Sequence, residues 1–260
     1  MRLLTAAFSV AVLACSDPSV PPPPETVQRV HEPEPERVTP LPFVEQLTGG
    51  AEHSETLPLL VTLHGRGSTP ESFRQFFDTL ETPYRIVHLE APIDEGNGRA
   101  WWSFRGKTRD EITAIVRELS DRTVASLRAA ERRHAVRGRP LVLGFSQGAM
   151  IVYAIAIDHP QAFARGYAVS GVLFDSLLRG DLSRVTPLRV FHGEDDPIIG
   201  MDSGTQSVAP LIAAGADVRV QTFEDVPHWI MRGMRTALHE SLDRYAEAGP
   251  APNAEASESD

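Results

Sequence analysis

Cysteine is almost absent from this chain of 260 residues: Cys15 stands alone, so no internal disulfide can form and the redox compartment leaves no mark. Positive charge is scarce too. Lys and Arg number 25 against 35 Asp and Glu, a net charge of −10, which argues against a nucleic-acid partner because such a site needs clustered cations to displace counterions from phosphate. No apolar run reaches the roughly twenty residues that a membrane-spanning helix requires. There is no internal repeat. No two histidines or acids stand at metal-ligand spacing on one element, so neither a metal site nor a cofactor is expected.

The hydrophobic fraction, 42%, is that of an ordinary globular domain. Between about residues 42 and 246, strand-like and helix-like segments alternate. Phe43 to Leu47, Leu57 to Leu63, Tyr84 to Leu89, Leu141 to Leu143, Gly166 to Val169, Leu188 to Phe191 and Val218 to Phe223 read as strands. Thr108-Arg109-Asp110-Glu111 has the form of a capping box, and Ile112, Ile115, Val116 and Leu119 follow at helical spacing in a helix that should stop before Gly138 and Pro140. Further helices are expected from Ala149, between Ser203 and Ala214, and over a last amphipathic stretch carrying Ile230, Met234, Leu238, Leu242 and Tyr245. This alternation implies an α/β fold, a mainly parallel, doubly wound sheet with helices on both faces, in a single domain. Ligands of such sheets bind beyond the carboxyl ends of the strands.

The stretch around which the chain is organised is Leu141 to Met150, L-V-L-G-F-S-Q-G-A-M. A strand runs into a sharp turn and then a helix, with glycines on both sides of Ser146 where side chains would collide. The turn lifts the serine hydroxyl above the sheet edge and aims the Gln147 main-chain N–H, at the head of the helix, toward the place of a developing oxyanion. A serine hydroxyl needs a base, and the base needs a carboxylate to fix its tautomer. Downstream, His192-Gly193-Glu194-Asp195-Asp196-Pro197-Ile198-Ile199 follows one strand, and Glu224-Asp225-Val226-Pro227-His228-Trp229 follows another. The order Ser, Asp, His is that of the α/β-hydrolase triad, with His228 as the base. Residue chemistry alone leaves Glu194, Asp195 and Asp196 open as the acid.

The segment H-G-E-D-D-P-I-I resembles the H-G-x-x-D-P-[VI]-[VI] segment of the phospholipase/carboxylesterase family of α/β-hydrolases. G-F-S-Q-G-A, Asp158-His159-Pro160 and Ser170-Gly171 are similar to further segments of that family, and the resemblance runs from about Leu59 to His228. It implies a serine esterase acting on a small-molecule carboxylic ester through an acyl-enzyme, and it assigns the acid directly before the proline, Asp196, to the triad. Lysophospholipase, acyl thioesterase and feruloyl-type esterase are alternatives of the same chemistry. A non-catalytic envelope-binding protein is the alternative of another class, and its mark would be a broken triad.

His64-Gly65-Arg66-Gly67 follows the strand beside the nucleophile strand, so the main-chain N–H of Arg66 is expected to join that of Gln147 in the oxyanion hole. Relatives carry an apolar residue at this position. The Arg66 guanidinium either faces the cleft mouth, favouring anionic substrates, or points to solvent. Gly98-Arg99-Ala100-Trp101-Trp102-Ser103-Phe104 resembles the loop that lines the substrate cleft in this family. Trp101 and Trp102 are therefore expected as a pocket wall, with a core plug as the alternative.

At the N-terminus, Met1-Arg2 followed by Leu3 to Ala14 reads as a secretion signal. Val12-Leu13-Ala14-Cys15 resembles the lipobox of bacterial lipoproteins, which implies lipidation of Cys15 and a place in the cell envelope, lipid-anchored and facing the periplasm or exterior; plain secretion is the alternative. The expected organisation is a signal and lipobox over residues 1–15, a Pro- and Glu-rich linker over 16–41, the hydrolase domain over 42–246, and an acidic tail over 247–260 that contains Glu247, Glu255, Glu258 and Asp260 without a base.

Overall fold

The structure, a computed structural model, describes residues 38–248. The expected signal with Cys15, nearly all of the linker, and all but the first two residues of the acidic tail lie outside the described residues. In chain order the elements are β1 (Phe43–Leu47), β2 (Leu59–Leu63), α1 (Pro70–Phe73), β3 (Arg85–Leu89), β4 (Ile93–Glu95), β5 (Gly98–Ala100), α2 (Arg109–Arg133), β6 (Leu141–Phe145), α3 (Gln147–Asp158), β7 (Arg165–Val169), β8 (Leu188–Gly193), α4 (Met201–Gln206), α5 (Ala209–Ala213), β9 (Val218–Phe223) and α6 (Arg232–Ala248).

Seven strands form one sheet in the order β1-β3-β2-β6-β7-β8-β9, parallel throughout except for β1, which pairs antiparallel with β3. Strands β2, β3 and β6 are buried on both faces; β2 and β6 accordingly read as nearly continuous apolar runs, whereas β3 encloses Arg85, which donates to His53 O, and His88, which is hydrogen-bonded to Thr62 and Gln46. Alternation still sorts the two sides. Leu59, Val61, Leu63 and Val142 face α2 and α3, whereas Leu60, Leu141, Leu143 and Phe145 face α1 and α6, the latter through Met234, Leu238 and Leu242. Helix α3 is buried over ten consecutive residues, Gln147 to Ala156, so it shows no amphipathic stripe. Helix α2 starts at the capping box expected of Thr108 and Glu111, each side chain bonded to the other's main-chain N–H.

Several boundaries differ from the expectation. Leu41 is buried and its N–H donates to Ser126 Oγ at 2.7 Å, so the packed chain begins inside the stretch read as linker. Strand β2 starts at Leu59 because Pro58 has no N–H to give the ladder. The single helix expected between Ser203 and Ala214 is two, since Pro210 in a continuous helix would clash with the carbonyl of Gln206 and the chain restarts at Ala209. Helix α6 begins at Arg232 and runs to Ala248, leaving Ile230 as a buried anchor before it. Helix α1 and the hairpin β4–β5 had no sequence reading; both are too short for periodicity to reveal.

Candidate active site

Ser146 joins β6 to α3 at φ 54° and ψ −116°, a conformation sterically unfavourable for any residue with a Cβ. Its glycine neighbours are dictated by close approach. A Cβ on Gly144 would stand 2.2 Å from the Gly148 carbonyl oxygen, and one on Gly148 would stand 2.2 Å from that of Leu63. The turn is thus wedged between two strands, and Ser146 N–H is tied to Val169 O at 2.9 Å.

The residues expected at the ends of three different strands meet here. His228 Nε2 lies 2.9 Å from Ser146 Oγ, and His228 Nδ1 lies 2.6 Å from Asp196 Oδ2. A carboxylate only accepts, so Nδ1 carries the proton and Nε2 is left free to take the one on the serine. Asp196 is fixed in turn: its Oδ1 accepts from the N–H groups of Ile198 and Ile199 at 2.9 and 2.8 Å, and its side chain is wholly enclosed. His192, read from the sequence as a loop-shaping residue, is buried beside it. Its Nε2 donates to Ile199 O at 2.7 Å and stands 3.4 Å from Asp196 Oδ2. Glu194 and Asp195 are exposed.

Arg66, Gln147, Ser146 and His228 line one cleft of about 490 Å³, together with Gly67, Glu95, Phe104, Met150, Ile198 and Ile199. Among the described residues, neither the Arg66 nor the Gln147 main-chain N–H is spent on an internal hydrogen bond. Both remain available to a negative oxygen. The loop that carries Arg66 is locked to the hairpin through Gly67 N–H to Arg99 O, 2.7 Å, and Arg99 N–H to Ser68 O, 2.8 Å. The Arg66 side chain is committed to neither expected direction: it pairs with Glu95 of β4, Nε donating to Oε1 at 2.7 Å, at the rim of the cleft.

Trp101 and Trp102 are corrected by the structure. Both are 0% exposed, pack with the core under α2 and α3, and line no part of the cleft. The reason is hydrogen bonding as much as size. Trp101 Nε1–H donates to His64 O at 2.7 Å, Trp101 N–H donates to Gln147 Oε1 at 3.0 Å, and Gln147 Nε2 donates to Trp102 O at 3.0 Å. The tryptophans therefore hold the His64 to Gly67 loop and the head of α3 in register from behind. The wall they were expected to form is supplied by Phe104, which sits edge-on to Trp102, and across the cleft by Ile198 and Ile199. Phe104 and the two isoleucines were inside the quoted motifs. Glu95 had no signal, because its partner is 29 residues away.

Residues 50–245 match the family described as Phospholipase/Carboxylesterase. Among individual proteins, the chain is 30% identical over 187 residues to Esterase YpfH of Escherichia coli, covering 69% of this chain and 80% of that one. It is 24% identical over 229 residues to Acyl-protein thioesterase 1 of Gibberella zeae, covering 80% and 92%. The crystal structure of esterase PE8 superposes with a TM-score of 0.66 at 20% identity, over 79% of this chain and 99% of that chain, a likeness of fold.

Proposed function

The chain belongs to the phospholipase/carboxylesterase family, and from that premise we propose that it cleaves carboxylic esters through an acyl-enzyme, with Ser146 as nucleophile, His228 as base and Asp196 as orienting acid. The observation that carries the reading is the unbroken hydrogen-bonded chain from Ser146 Oγ through His228 to Asp196. His228 Nε2 takes the serine proton as Oγ attacks the ester carbonyl, and Asp196 stabilises the imidazolium without becoming protonated. The carbonyl oxygen, now anionic, receives the N–H groups of Arg66 and Gln147. The imidazolium then protonates the departing alcohol, and water, deprotonated by the same Nε2, releases the acid and restores the serine.

An acyl thioester would react by the same steps with a thiol as leaving group. The apolar cleft wall of Phe104, Met150, Ile198 and Ile199 suits an acyl chain in either case. A non-catalytic binding role is disfavoured by the intact triad. The lipobox-like Cys15 supports a lipid-anchored envelope enzyme; radiolabelled fatty acid entering the full chain but not its Cys15→Ser variant tests that part.

A fluorophosphonate probe tests the core of the reading. It should label Ser146 in the unmodified protein and leave Ser146→Ala unlabelled, and a panel of oxygen esters and thioesters of increasing chain length then assigns the substrate. Full activity in Ser146→Ala would overturn the proposal.

A further inference from the structure

At the opposite end of the strands from the triad, a second concavity of about 540 Å³ opens between α6 and the edge strand β9. Its charged lining is Arg165, Arg189, Arg219 and Arg244, with no acid among the lining residues, in a chain whose overall charge is −10. Arg165 begins β7, and Arg189 and Arg219 are register partners on β8 and β9, so three guanidiniums project from one sheet face toward the helix that carries the fourth. Gly193 lies four residues beyond Arg189 on β8, which puts roughly 13 Å of strand between Arg189 and the loop that bears Asp196.

Like charges crowded into one concavity repel, and the nearby acids do not balance them. Asp217 is bonded to Arg189 at 3.0 and 3.2 Å and reaches Arg219 at 3.5 Å; Glu240 reaches Arg244 at 3.8 Å. Arg165 has no carboxylate within 4.0 Å among the described residues, and its buried Nε has no hydrogen-bond partner. It lies 5.6 Å from the centre of the Tyr245 ring, which holds the guanidinium in place without neutralising it. The Asp217 carboxyl is held below the usual carboxylate range, first by the hydrogen bond from Arg189 and further by the charges of Arg189, Arg219 and Arg165, as closely grouped cations require.

Four guanidiniums against two carboxylates leave an excess of two positive charges. One carboxylate is satisfied by a single arginine fork, whereas a phosphate monoester carries close to two charges and three oxygens that several forks share. Phe191 and Ala237 supply apolar surface beside the cations. We propose that this groove is a binding site for a phosphate-bearing ligand, separate from the catalytic cleft, with Arg165 as its central contact.

The test is calorimetric titration of the full chain with glycerol 3-phosphate at low salt, alongside co-sedimentation with phosphatidylcholine vesicles containing phosphatidic acid, whose headgroup is a phosphate monoester, and with pure phosphatidylcholine vesicles as the net-neutral control. Arg165→Gln and the exposed pair Arg219→Gln/Arg244→Gln should each weaken binding at least fivefold, while kcat/KM on a neutral short-chain ester stays within twofold. Binding of glycerol 3-phosphate supports a soluble phosphate ester as the ligand; binding confined to the phosphatidic acid vesicles supports the same chemistry on a lipid headgroup. Failure of both to bind overturns the proposal. So does binding that survives Arg219→Gln/Arg244→Gln, whether or not Arg165→Gln folds. These readouts do not depend on Ser146, so their failure is distinct from failure of the esterase reading.

Discussion

Asp195 and Asp196 are adjacent in the chain and opposite in surroundings: the first carboxylate lies in solvent, and the second is enclosed and reached by two main-chain N–H groups and His228. Asp196→Asn should lower kcat on the order of 10⁴-fold, because an amide in place of the carboxylate favours the wrong imidazole tautomer. Asp195→Asn should stay within about twofold of the parent. Steady-state kinetics on one ester decides, and the reverse ranking would move the role to Asp195.

Gln147 has two duties that one substitution separates. Gln147→Leu keeps the main-chain N–H that the proposed mechanism uses but leaves Trp101 N–H and Trp102 C=O unpaired in the core. At about 1–3 kcal/mol for each of the two buried groups left without a partner, the urea midpoint should fall by the equivalent of about 2–6 kcal/mol. An unchanged midpoint would mean that the two tryptophans hold their places without it.

Acid should destabilise this protein through two buried histidines that are not members of the proposed triad. Burial, the dominant cause for both, lowers His64 to about 4 and His88 to about 3. Each is satisfied as the neutral ring: His88 Nε2–H donates to Gln46 Oε1 at 2.9 Å while Nδ1 accepts from Thr62 at 2.7 Å, and His64 Nδ1–H donates to Gly65 O at 2.8 Å. Below the unfolded value of about 6.5 the unfolded chain binds protons that the folded chain refuses, so stability is full above 6.5 and falls as pH drops toward 4. Each histidine should remove on the order of 3 kcal/mol by pH 4. Urea titrations across that window check it, and His88→Gln should flatten the slope by about half.

The ion pair at the cleft rim alters what Arg66 contributes. With Glu95 beside it, the guanidinium offers an anionic substrate little net attraction. Arg66→Leu should keep kcat on a neutral ester within a few-fold, since an oxyanion donor on the main chain survives side-chain replacement. Glu95→Gln, by contrast, should lower KM for an ester bearing a carboxylate by a few-fold at low salt, with the gain disappearing at high salt. No change in that KM would mean that the Arg66 side chain lies outside the substrate's reach.

The strands and the long helices were legible because their signals are local or periodic. A nearly continuous apolar run between turn residues marks a strand buried on both faces, as in β2 and β6, and the Thr108 to Glu111 pattern marks a helix start that tertiary packing did not move. The three residues that meet at Ser146 were legible for another reason: each follows a strand, and parallel strands deliver their carboxyl ends to one edge. What escaped was non-local. Two tryptophans beside a glycine look alike whether they face a ligand or a backbone carbonyl, and only the Gln147 bonds decide that they face inward. The Glu95 pair and the arginine groove bring together residues far apart in the chain, and no spacing rule joins them.

The backbone at Ser146 sets function against durability. Its positive φ costs on the order of 1–3 kcal/mol in any residue with a Cβ, and glycine alone escapes it, at about 1 kcal/mol of added chain entropy. Of two inactive variants, Ser146→Gly should therefore melt at or above the temperature of Ser146→Ala, by calorimetry. A lineage released from the need to hydrolyse anything would meet no structural resistance to losing this serine, and drift would carry the position toward glycine. The fold does not ask for a side chain there; on the proposed mechanism, it is the reaction that needs one.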